Sequence, residues 1–245
     1  MLSAETTRNP ATSFCIGILG GMGPRATVDL FLKLVEATPA VVDRDHIPVV
    51  VYSVPQVPDR TEAILRGGPS PVGELRRGIY TLENAGASVI VVACNTAHHW
   101  FDEMQESARV PLLHIVDAAI DELQGVTRSG ARVGLMGTSG TITSGVYGRR
   151  LAQAGFQIVV PYPGEQGDVD RGIALVKAGR SEEGAAHFRR VLDALIARDA
   201  STIVLACTEI PVALGAEHLS VPIIDATAAL ARYCVRYWRS RNDPS

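Results

Sequence analysis

Of the four cysteines in the 245 residues, two stand where chemistry is commonly done. Cys94 closes the run Val89-Ile90-Val91-Val92-Ala93, and Cys207 closes Thr202-Ile203-Val204-Leu205-Ala206. A short β-branched run without polar alternation is the pattern of a strand buried on both faces, as in a parallel sheet covered by helices. In open α/β sheets ligands bind outside the carboxyl ends of the strands, so both thiols fall at such an end. Two thiols facing one another across a pocket suit a reaction in which one sulfur removes a proton and the other delivers one to the opposite face. That is racemisation or epimerisation at a carbon acidified by a neighbouring carboxylate. A free thiol of pKa about 8.5 is only a few per cent thiolate at neutral pH. The site therefore has to bias one of the pair towards ionisation. Asn95-Thr96 and Thr208-Glu209 follow the cysteines at expected helix starts, where the dipole and free N–H groups favour a thiolate. Thiols close together also titrate as a coupled pair, which favours one thiolate and one thiol.

The elements that position these residues follow from apolar runs and glycine. Cys15 to Leu19 reads as a strand, and Gly20-Gly21-Met22-Gly23-Pro24 as a turn whose backbone passes close to something. A helix is expected from Arg25 or Ala26, with Val28, Phe31, Leu32 and Val35 as its i, i+3, i+4, i+7 core stripe. Residues 47–54 form the next expected strand, ended by Pro55 and Pro58, with Asp59-Arg60-Thr61 in a loop. A helix over 72–84 leads to the strand ending at Cys94, a further helix is capped by Asn95-Thr96, and a short strand spans 112–116.

The pattern then restarts. Ile16 to Gly20 is echoed by Val133 to Gly137, Cys94 by Cys207, and Val110-Pro111-Leu112-Leu113 by Val221-Pro222-Ile223-Ile224, at offsets of 117, 113 and 111 residues. Three matches in one order at nearly constant offset indicate two copies of one unit. The expected fold is α/β, with two pseudo-symmetric doubly wound lobes, mostly parallel sheets and the site in the cleft between them. Residues 1–115 with 226–245 form the first lobe and 116–225 the second; the last helix, from Ala226, returns to the first lobe.

Composition narrows the function class. The chain is 47% hydrophobic and 20% charged, with a net charge of −3 spread along its length, so there is no footprint for nucleic acid or an anionic membrane. No apolar run reaches the ~18 residues of a membrane span, and Met1 to Ser13 lacks the order of a secretory signal. A cytoplasmic location is expected. The cysteines do not resemble a disulfide scaffold, and Cys15 and Cys234 read as structural.

Two other site types are weighed. Gly21-Met22-Gly23-Pro24-Arg25-Ala26 fits a G-x-G-x-x-A fingerprint, but Tyr52-Ser53-Val54-Pro55 supplies no acidic residue for a ribose. Cys94, His98 and His99 hint at a metal, yet no third or fourth ligand follows at usable spacing. No metal and no cofactor are expected; His99 reads as a surface or packing residue.

Taken together, Gly20-Gly21-Met22-Gly23-Pro24, the stretch Pro55 to Thr61, Ala93-Cys94-Asn95-Thr96-Ala97-His98, Gly137 to Thr141 and Ala206-Cys207-Thr208-Glu209-Ile210 resemble the aspartate/glutamate racemase family, which works without pyridoxal phosphate. The resemblance runs from Ile16 to about Ala228. It implies a two-lobed fold, no cofactor, a homodimer, and Cys94 and Cys207 as the acid and base that exchange an α-proton. It further implies that Asn95, Thr96, Thr138, Gly140, Thr141 and Thr208 hold the α-carboxylate or α-amino group. Arg60 and Lys177 match the residues that bind a side-chain carboxylate in aspartate-specific members. Met22, Gln56 and Glu209, within the same motifs, complete the expected substrate pocket. Aspartate is the first expected substrate and glutamate the second. Ser53-Val54 stands where an asparagine precedes Pro55 in relatives, a change in the pocket wall that bears on side-chain preference. The competing functions are a cysteine-dependent isomerase or decarboxylase of small dicarboxylic acids, and a non-catalytic amino-acid-binding protein.

Overall fold

The computed structural model describes residues 14–215 and 220–242, so the reading of Met1 to Ser13 lies outside the described residues. The first sheet contains β1 (Ile16–Gly20), β2 (Val49–Ser53), β3 (Val89–Val92) and β4 (Leu112–Leu113). Its helices are α1 (Pro24–Ala37), α2 (Arg60–Arg66), α3 (Val72–Asn84) and α4 (Phe101–Ser107). After α5 (Ile115–Val126) come β5 (Arg132–Gly137), α6 (Ser139–Ser144), α7 (Val146–Gln153) and β6 (Gln157–Val159). Then follow α8 (Pro163–Lys177), α9 (Ser181–Ile196), β7 (Thr202–Ala206), α10 (Glu209–Leu214), β8 (Ile223–Asp225) and α11 (Ala226–Asn242).

Each sheet has four parallel strands, in the orders β2-β1-β3-β4 and β6-β5-β7-β8. The two orders are the same once the second copy is renumbered, and β3 and β7, which precede the cysteines, are equivalent central strands. All residues of β1, β3 and β7 are buried, as unalternating apolar runs require. One apolar core joins the two sheets, drawing on Ile18 and Val91 of the first, Leu135 and Val204 of the second, and Leu30, Tyr147 and Leu230 from helices. Further cores lie beyond each sheet, around Leu75 and Ile79 on one side and Phe188 and Leu192 on the other. Each such side chain, fully buried, contributes roughly 1.5–3 kcal/mol by removal of apolar surface from water.

The expected inward stripe of α1 is reversed. Val28, Phe31, Leu32 and Val35 are 67%, 40%, 53% and 38% exposed, whereas Ala26, Thr27, Leu30 and Leu34 are buried. The helix carries two apolar stripes, and periodicity alone does not choose between them. The glycine turn does: the Gly21 N–H donates to Thr27 Oγ1 at 2.8 Å, and that hydroxyl donates to the Gly23 carbonyl at 3.0 Å. Thr27 is thereby turned inward, with Leu30 and Leu34 behind it. The helix also starts at Pro24, whose missing N–H costs nothing at the first position. Gly21 has φ of +93°, and a Cβ there would lie 2.3 Å from the Val54 backbone, so the close approach expected of this turn is to the end of β2.

A second correction concerns Asp59-Arg60-Thr61. Instead of a loop, Asp59 caps α2 by accepting from the Glu62 N–H at 2.8 Å, and Arg60 is the first helical residue. At the other end of the chain, α11 packs against α1 and α5.

Candidate active site

The carboxyl ends of β3 and β7 meet at a small inner cavity of about 20 Å³ lined by both Cys94 and Cys207. Met22, Arg60, Asn95, Thr96, Thr138, Lys177, Thr208 and Glu209 also line it, together with Asp59 and Thr61, which were not singled out. A larger outer cavity of about 380 Å³ shares Met22, Asp59, Arg60, Lys177 and Glu209, and is walled by Pro24, Pro55, Val57, Val176 and Val212. The glycine turn, α2, the end of α8 and the start of α10 thus frame one depression around the thiols.

Three expected residues stand elsewhere. Gln56 is exposed in the turn after β2 and lines neither cavity. Gly140 is a point of contact between the sheets: a Cβ there would lie 2.8 Å from Thr61 Oγ1 and 3.1 Å from Thr96 Cγ2. Thr141 is fully buried behind the cavity wall, where Thr96, Thr138 and Thr141 form a closed triangle of hydroxyl contacts at 3.0, 2.9 and 3.0 Å. Thr138 also caps α6, accepting from the Thr141 N–H at 3.0 Å.

The surroundings of the thiols differ. Cys207 Sγ donates to Glu209 Oε2 at 3.1 Å, and Thr208 Oγ1 donates to the same oxygen at 3.1 Å. Burial, followed by the Glu209 charge, holds the Cys207 thiol well above the usual thiol range, although Lys177 and the Glu209 N–H pull the other way. The expected helix-start bias is overridden here, because α10 is only six residues long and carries its own carboxylate beside the sulfur. Cys94 is followed by a 3-10 segment, Thr96–Trp100, not an α-helix, and Asn95 makes no side-chain cap. Its neighbour His98 is buried, with Nε2 accepting from the Ile115 N–H at 3.2 Å and Nδ1 2.9 Å from the Cys94 carbonyl. Those partners assign the proton to Nδ1, so His98 donates to the peptide that carries the thiol. Burial pushes its pKa down to about 4.

Arg60 is buried with its fork largely committed to backbone: Nη1 donates to the Val57 and Pro58 carbonyls at 3.0 Å, and Nη2 to Met22 O at 3.3 Å. Its Nε is buried without a partner. The guanidinium therefore braces the wall of the cavity as well as charging it. His99 is exposed, and Cys234 is buried in the shared core. Among the described residues no group of three His, Cys, Asp or Glu side chains is placed to hold a metal ion. None of the described helices is long and apolar enough to cross a membrane.

The sequence-predicted residue set was incomplete in one further place. Tyr147 of α7 is fully buried and its hydroxyl donates to Asn95 Oδ1 at 2.5 Å. No local pattern marks a lone tyrosine in an amphipathic helix as part of a site 52 positions away.

Two like parallel-sheet units, each ending a central strand in a thiol beside a common cavity, define a duplicated α/β enzyme framework. Residues 19–234 match the family described as Asp/Glu/Hydantoin racemase, and the chain belongs to that family. It is an amino-acid racemase, an isomerase, of this family. The broad specificity amino-acid racemase RacX of Bacillus subtilis (strain 168) is 30% identical over 228 residues, covering 90% of this chain and 96% of that one. Among solved structures, Picrophilus torridus aspartate racemase superposes with a TM-score of 0.82 at 33% identity, covering 92% of this chain and 94% of that chain. A putative Asp/Glu racemase from Yersinia pestis gives 0.75 at 28% identity, with 92% and 99% covered.

Proposed function

We propose that the protein interconverts L- and D-aspartate, with glutamate as second substrate, by proton transfer between Cys94 and Cys207. The observation that carries this reading is the convergence of two thiols from equivalent strand ends on one cavity. One sulfur, as thiolate, takes the α-proton and becomes a thiol; the electron pair left on Cα is delocalised into the α-carboxylate. The other thiol then protonates Cα from the opposite face and becomes the thiolate, so the roles exchange with the enantiomer bound. Lys177 and Arg60 supply positive charge for a side-chain carboxylate, and Asn95, Thr96, Thr138 and Thr208 offer polar groups to the amino-acid head. Incubation with L-aspartate in deuterated water, without added cofactor, should give D-aspartate carrying deuterium at Cα. Absence of both exchange and the D-enantiomer would sink this reading.

A second reading, racemisation of longer side chains, is favoured by the apolar outer cavity and by the commitment of Arg60 to backbone carbonyls. The similarity to a broad-specificity racemase agrees with it. A panel of L-amino acids assayed for α-proton exchange separates the two: aspartate alone, or aspartate with glutamate, supports the first.

We assign residues 1–115 with 226–245 to the first lobe and 116–225 to the second, a division supported by the packing of α11 on α1. We also assign a homodimer. The exposed apolar stripe Val28, Phe31, Leu32 and Val35 supports this, because the same stripe of a second copy, met across a two-fold axis, would cover it. Phe31→Asp should convert a dimeric elution volume to a monomeric one while changing stability by no more than about 0.5 kcal/mol. A monomeric unsubstituted protein would refute the assignment.

A further inference from the structure

The residue after the first cysteine is buried with half of its amide unsatisfied. Asn95 is 2% exposed; Oδ1 accepts from the Tyr147 hydroxyl, whereas Nδ2 is buried and has no partner. An amide donor left in that state is unfavourable unless something arrives to accept from it. Asn95 lines the inner cavity beside both thiols, so the acceptor can be a bound molecule.

An asparagine amide can be turned either way about its last torsion, and the identity of its neighbour decides which end faces the cavity. The phenol of Tyr147 has one hydrogen to place, and it places it on Asn95. With Oδ1 against the phenol, that hydrogen is used and Nδ2 is released. With the amide reversed, the phenol would accept from Nδ2 and its own hydrogen would be stranded in a fully buried place. Burial also drives the Tyr147 pKa well above the ordinary phenol value, so the hydroxyl remains a donor.

We propose that Tyr147 is a positioning residue for substrate binding: its hydroxyl fixes the Asn95 amide with Nδ2 towards the inner cavity, where it donates to a carboxylate oxygen of the bound amino acid. The ligand in this statement rests on the racemase reading, but the orienting contact does not. It also makes the donor beside Cys94 depend on a side chain of α7 in the core shared by the two sheets.

Tyr147→Phe keeps the ring that fills the core and removes only the hydroxyl. KM for L-aspartate should rise about ten-fold, with kcat changed less than about three-fold, because a bond made equally in ground and transition states acts on KM. In an Asn95→Ala background the same substitution should change KM less than about two-fold, since the amide it orients is gone. An unchanged KM in the first case, or the same rise in both backgrounds, overturns the proposal. A second measurement needs no turnover. The Asn95 side-chain amide resonance, identified by its loss in Asn95→Ala, should shift or broaden in Tyr147→Phe while the backbone spectrum is retained. If that resonance responds and no amino acid is racemised, the function reading fails and the positioning contact stands. An unmoved resonance in an active enzyme refutes the contact.

Discussion

The exits of β3 and β7 are the same place in two copies of one fold, and they are furnished differently. Both strands are wholly buried, both pair with the equivalent neighbours, and both deliver a cysteine to the cavity. Beyond the sulfur the copies part. The first continues Asn95-Thr96, whose side chains reach across to Tyr147, Thr138 and Thr141. The second continues Thr208-Glu209, where the Glu209 carboxylate turns back to accept from both the Cys207 thiol and the Thr208 hydroxyl. The two copies share the strand order that places the thiols, and among their differences are the two residues that follow each sulfur. The first exit makes contacts between the two halves, and the second gives its thiol a carboxylate acceptor.

The largest effect expected from breaking this comparison is loss of either sulfur. Cys94→Ala and Cys207→Ala should each lower racemisation by about 10³-fold or more, followed by chiral chromatography, because neither residue has a substitute on its face. A variant that still exchanges the α-proton of one enantiomer would show which face each thiol serves; one that racemises at the original rate would refute the pairing.

The next effect tests the His98 support found only at the first exit. Its folded pKa of about 4 lies below the unfolded histidine value of about 6.5. Between those values the unfolded chain binds the extra proton. Stability is therefore held above pH 6.5 and lost as pH falls towards 4, by up to about 3 kcal/mol. Urea unfolding at pH 7 and pH 4.5 should show the loss, and His98→Gln should reduce it. His114, whose pKa burial also lowers, leaves part of the slope in place. A slope untouched by His98→Gln would assign the loss elsewhere.

The smallest effect belongs to Glu209. Replacing it by Gln removes the charge beside Cys207, so the thiol pKa should fall and alkylation of that cysteine by iodoacetamide at pH 8 should become faster. Peptide mass spectrometry resolves Cys207 from the other thiols. An unaltered rate would mean that burial alone holds the proton.

What could be read in advance divides along physical lines. Buried parallel strands are written in the sequence as apolar runs, so the two copies, their offsets and the cysteines at their ends were visible before any fold. The environment of Cys207 was not, because a helix-start argument counts backbone dipoles and misses a carboxylate two residues on that folds back over the sulfur. The facing of α1 was equally hidden, since its two apolar stripes differ in fate only through the bonds of Thr27 to the glycine turn. Arg60 as a brace depends on where Met22 and Val57 present their carbonyls, which only the folded chain specifies, whereas the Asp59 cap is local, its acceptor oxygen meeting the Glu62 N–H three residues on. Tyr147 is the extreme case, because its partner is distant along the chain and near only in space.

The triangle of threonine hydroxyls has a mechanical meaning. The inner chamber beside the sulfurs, about 20 Å³, is the size of about one water, and Thr96 and Thr138 of the triangle line it. On one side the two halves are joined by the shared apolar core, whose separation would expose hydrophobic surface. At the cavity they are joined by Thr96 to Thr138 and Thr141, hydroxyl contacts of which the one to Thr141 is buried. The two halves are thus joined by apolar packing through the core and by a ring of hydroxyls beside the thiols, so the chamber is closed by polar contacts while the fold is closed by apolar ones.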